Sequence, residues 1–158
     1  MGITDIILGR TLRKALVPGA AASILSAISL AVLGKSELNR SAAPVNGPSQ
    51  WVWGRHAPFK NGLSLKYTVL GYAIHHAASV FWAILHEKLQ ERFKAKNCTA
   101  VIAPALAATA AAYVVDFYVA PKRLSPGFEH RLSKQALFIV YGSFALGLAG
   151  VAFLRRTR

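Results

Sequence analysis

Four apolar runs, at residues 15–34, 65–85, 99–120 and 134–154, constrain this chain more than anything else in it. A helix needs about 20 mostly apolar residues to cover the hydrocarbon thickness of a bilayer, and each run has that length. The expected fold is therefore all-α: one integral membrane four-helix transmembrane bundle filling residues 1–158, with an interfacial loop at 35–64. Composition agrees, since only 16% of the residues are charged, whereas soluble domains carry about a quarter.

Charge is lopsided, with nineteen Lys and Arg against six Asp and Glu. Such an excess can serve nucleic acid, but here the cations occupy the short gaps between apolar runs. In those gaps they meet anionic headgroups and bias topology, so lipid is the expected partner and nucleic acid is not. Cys98 is the only cysteine, which excludes an intramolecular disulfide and a thiolate metal cluster. Arg10, Arg13 and Lys14 precede the first run. That run is too long for an ordinary signal core and lacks a small-residue cleavage site directly after it, so it reads as a first membrane helix. Pro18 lies near its expected start, where a missing N–H costs little. Between the third and fourth runs, Ser125 and Pro126 read as a helix start, with Glu129 in the first turn.

Small residues recur four apart in Gly19 and Ser23, Ala22 and Ser26, Ser143 and Gly147, and Ala145 and Ala149. Such rows let helix backbones approach closely in lipid and favour a tight bundle. With four spans, both termini and the 86–98 connection share one face. That face carries ten Lys and Arg against nine opposite. The ten lie closer to the spans, where the positive-inside rule acts, which puts both termini in the cytoplasm.

Polar residues inside the runs are the candidate functional groups. At 3.6 residues per turn, Thr68, Ser79, Trp82 and His86 fall within about 40° of His75, while His76 lies on the flank. The second helix thus has one narrow polar stripe, expected to face the bundle interior. The same winding places Asp116 at the end of a small-residue face formed by Ala105, Thr109 and Ala112. Asp116 is the only acid inside a run and costs at least about 2.5 kcal/mol there without a partner. It lies about 6 Å from its end of the helix, on the membrane face where the second helix begins. Tyr72, His75 and His76 are accordingly its expected partners. His86 falls at the opposite surface.

Cofactors are not expected. A haem between helices needs two axial ligands at one depth, yet His75 and His86 lie about 16 Å apart along one helix and Met1 is the only methionine. Carboxylates at metal-ligand spacing are missing. Ser79 beside His75 would need Asp116 from another helix to form a catalytic set, so no catalytic residue is assigned. In the connections, Trp51 and Trp53 mark the headgroup level. With Arg55, His56, Lys122, Arg123, Glu129 and His130 they form the expected surface for lipid headgroups or a partner.

The stretches HHAASVFWAILHE, YVVDFYVAPKRLSPGFEHRLS and LFIVYGSFALGLAG resemble segments of small bacterial inner-membrane proteins, broadly YagU-like. The resemblance covers roughly residues 65–150, and D-x4-PKRLSPGFE is its most specific piece. It implies a bacterial inner-membrane location and a multi-pass architecture, but no reaction, and draws attention to Asp116, Lys122, Arg123, Pro126, Gly127 and Glu129. The expected function is non-enzymatic: an accessory or scaffolding subunit packing with lipids, a partner membrane subunit or copies of itself. The alternative is a proton-coupled or small-ligand transporter using Asp116 and His75.

Overall fold

The computed structural model describes residues 3–93 and 98–157, with side chains from residue 9 onward. Lys94, Lys96 and Arg158, which entered the charge balance, lie outside the described residues. Helix α1 spans Ile3–Leu38, and two short helices follow, α2 (Ala42–Val45) and α3 (Gln50–Trp53). A π-helical turn, Leu65–Val69, opens α4 (Leu70–Phe93). Helix α5 (Cys98–Val114) closes with a second π turn, Val115–Val119, and α6 covers Lys134–Arg156. No strand occurs among the described residues. Four stretches, Gly9–Leu38, Leu65–Phe93, Cys98–Val119 and Lys134–Arg156, are long and apolar enough to cross a membrane.

Each long helix packs on two others. Helix α1 lies against α4 and α6, and α5 lies against the same two, so α1 and α5 occupy opposite corners. Small residues set the spacing. A side chain at Gly147 would collide with the backbone of Ala22, and one at Gly19 with the backbone of Val80. The core between the helices is correspondingly fine-grained, with Ala15, Ala22, Ala83, Ala105 and Ala108 buried around Phe144 and Leu148. Contact at this range maximises dispersion between the helices.

Two helix starts differ from expectation. Helix α1 begins well before Pro18, which is therefore internal. Proline has no N–H for the carbonyl four residues back, and the guanidinium of Arg155 supplies a substitute, donating to Lys14 O at 2.9 Å. Helix α6 starts at Lys134 rather than near Ser125, and its cap is Ser133, whose hydroxyl accepts from Ala136 N at 3.2 Å. Gly127, at φ +84°, turns the chain out of any helix begun at Pro126. Residues 128–130 form a single tight turn.

The 35–64 connection also folds more than an interfacial loop would. Asn46, Gly47, Pro48, Ser49 and Gln50 are all buried. Asn46 holds the segment together by donating to Lys60 O and Gly62 O at 2.8 and 3.1 Å and accepting from Thr68 at 2.6 Å. Gln50 ties it to the α5–α6 connection, donating to Ser125 O at 2.7 Å. The two connections therefore form one plug over one end of the bundle.

Candidate functional site: a polar chamber beneath the plug

Below the plug, residues from all four long helices enclose a chamber of about 60 Å³. Ser26 comes from α1, His75 and Trp82 from α4, Asp116 from the π turn ending α5, and Tyr141 from α6. Pro48, Trp51, Pro126 and Phe128 of the plug close it above. One water needs about 10–15 Å³ of such space, so the chamber holds a few waters or one small polar group.

The hydrogen bonds around it connect the helices in pairs. Tyr141 donates its hydroxyl to Asp116 Oδ2 at 2.6 Å, linking α6 to α5. Tyr141 is itself held among Tyr113, Phe117 and Phe128, with ring centroids 5.3, 5.8 and 6.5 Å away. Ser26 Oγ lies 2.7 Å from Ala22 O and 2.8 Å from His75 Nε2. The imidazole tautomer decides which of Ser26 and His75 donates in that contact. His76 Nδ1 sits 3.1 Å from Ser23 Oγ, so both histidines bind the small-residue face of α1. Tyr72 stacks obliquely on His76 at 5.9 Å.

The expected intramembrane polar set therefore divides. Asp116 and His75 line one chamber, but the hydrogen bond of Asp116 goes to Tyr141, and those of His75 and His76 go to serines. Depth arithmetic puts Tyr141 at a compatible level but does not single it out. It lies seven residues into α6, about 10 Å from the same bundle end as Asp116. His86 follows the polar stripe: it is 0% exposed, its Nε2 3.4 Å from Gln90 Nε2, at the end of α4 away from the plug.

The expected headgroup or partner surface also divides. Trp51 donates to Ser125 O at 3.2 Å, and Glu129 accepts from Ser125 Oγ at 2.5 Å, so both belong to the plug. His130 Nε2 lies 3.6 Å from Glu129 Oε1, with its ring stacked on Phe59 at 6.1 Å. Trp53 donates to Lys66 O at 2.9 Å, beneath the Lys66 ammonium, which is 4.5 Å from its ring. His56 meets Tyr67 edge-on at 6.4 Å. Arg55, Lys122 and Arg123 are exposed.

Among the described residues, no cluster of three or more His, Cys, Asp or Glu side chains is placed to hold a metal ion. The chamber instead offers one carboxylate, one imidazole and the three hydroxyls of Ser26, Ser79 and Tyr141 in otherwise largely apolar walls. That set can bind a polar group by hydrogen bonds or exchange a proton with it. No family model, curated protein or solved structure matches the chain.

Proposed function

We propose that this protein is a multi-pass membrane protein that binds a small ligand within the bilayer and hands it on, a carrier rather than an enzyme. The observation that supports this reading is the chamber. The one carboxylate inside an apolar run faces a space shared with His75, Ser26 and Tyr141, instead of being sealed into packing. Ionisable groups at membrane depth are costly and mark ligand or proton paths. A bacterial inner membrane with both termini in the cytoplasm is the setting we propose. The basic residues flanking α1, α4 and α6 support that orientation.

A second reading, an accessory subunit packing against another membrane protein, draws on the outer face of α6. There Gly142 and Gly150 are exposed, and an added Cβ would meet nothing. The other small residues leave less for a partner: Gly19 and Gly147 are already consumed by contacts inside the bundle.

Native mass spectrometry from mild detergent separates the two readings. Ligand handling predicts a small non-protein mass retained by the wild-type protein and lost from Asp116→Leu, with unchanged helical circular dichroism. Stoichiometric partner chains with no small-molecule adduct would overturn it in favour of the subunit reading.

A further inference from the structure

The chamber is too small for a whole organic ligand, but it does not stand alone. A groove of about 500 Å³ runs along the outside of the bundle between α4 and α5, within the ordinary ligand-sized range of roughly 300–1,000 Å³. Groove and chamber share Trp51, Ile74, Ala78, Trp82 and Asp116, so they meet at the carboxylate. Away from that junction the groove is apolar, walled by Ala77, Phe81, Val115 and Leu124. The two spaces thus differ in size and chemistry in the way the two ends of an amphiphile differ.

Asp116 states which head is complementary. Its Oδ2 takes the Tyr141 hydroxyl, while Oδ1 accepts no hydrogen bond from a described residue. That oxygen is not fully buried, so it is accessible in the space that chamber and groove share and can accept a hydrogen bond there. A head that donates a hydrogen bond would satisfy it, whereas an anionic head would face a carboxylate.

We propose that the α4–α5 groove admits a single-chain lipid sideways from the bilayer, its apolar chain along Phe81 and Leu124 and its hydrogen-bond-donating head, a hydroxyl, against Asp116. The inference rests on the ligand-handling reading and adds the entry route and the ligand class. Trp51 and Trp82 line the groove and Trp53 does not, so tryptophan fluorescence reports occupancy directly.

The test places the full chain, carrying Trp53→Phe to lower the background, in phosphatidylcholine vesicles. A dibrominated long-chain alcohol is titrated in, and then its methyl ether, which keeps the chain and loses the donor. The alcohol should quench at about three-fold lower concentration than the ether, the preference that one intramembrane hydrogen bond of average strength supplies. Asp116→Leu should erase that preference. Ala77→Leu, an exposed position whose larger side chain fills the groove without entering the core, should lower quenching by both probes. Equal quenching by alcohol and ether overturns the proposed head. Quenching untouched by Ala77→Leu overturns the proposed route. If either failure accompanies an Asp116-dependent adduct in native mass spectrometry, the ligand-handling reading survives and the lateral amphiphile falls. Failure together with no adduct sinks both.

Discussion

At the end of the bundle where α1 begins and α6 finishes, long charged side chains reach from helix to helix. Arg155 of α6 donates to Glu87 of α4 at 2.8 Å and to Lys14 O of α1, and Lys14 in turn meets Glu91 at 2.8 Å. Gln90 adds a bond to Val101 O of α5 at 3.0 Å. The opposite end is closed largely by backbone. Gly47 and Gly127 are pressed together so closely that a side chain on either would strike the other segment's main chain, and Asn46 and Gln50 bond to carbonyls. Side-chain ties bind helices laterally. A backbone plug spans the space between them and leaves the chamber beneath it. The polar chemistry and the groove both lie at the plugged end.

That contrast can be broken from either side. Gly127→Ala should do the most damage, because Ala disfavours φ +84° and its Cβ would land on Gly47 O. The positive φ alone costs about 1–2 kcal/mol, and the collision adds to it. Thermal unfolding in detergent should show the loss, together with faster exchange of the amides around Gln50. A stability unchanged by Gly127→Ala would mean that the plug does not hold the bundle end. Arg155→Met should come next, at about 2 kcal/mol. It strips the partner from Glu87, which is 8% exposed, and the donor from the carbonyl freed by Pro18. Adding Glu87→Gln should restore part of that stability, because the orphaned charge is then gone. If the double variant is no better than the single, the damage comes from the lost Lys14 O contact. Lys14→Met should cost least, about 0.5 kcal/mol, since that pair is exposed at 46% and 52%, and the effect should fade with added salt.

Much of the architecture was visible in the residues. Hydropathy located all four long helices, and the polar stripe on α4 pointed the right way: Ser79 and His86 are buried, and His75 meets α1. The small face of α5 was legible too, with Ala105, Thr109 and Ala112 all buried. Tyr141 was not. It is one hydroxyl on an apolar helix and adds nothing to a periodic pattern, so only the angular register between α5 and α6 brings it to Asp116. Arg155 was hidden for a related reason. Its bond to Lys14 O answers a proline more than a hundred positions earlier in the chain.

The division has one physical cause. Whether a segment becomes a long apolar helix, and which of its faces is polar, depends on residues within a few turns of one another. Those properties belong to the chain before it packs. Which hydroxyl meets which carboxylate depends on how far each helix slides and rotates against its neighbours. Glycine-to-backbone contacts such as Gly147 on Ala22 and Gly127 on Gly47 set that geometry, and it exists only in the assembled bundle.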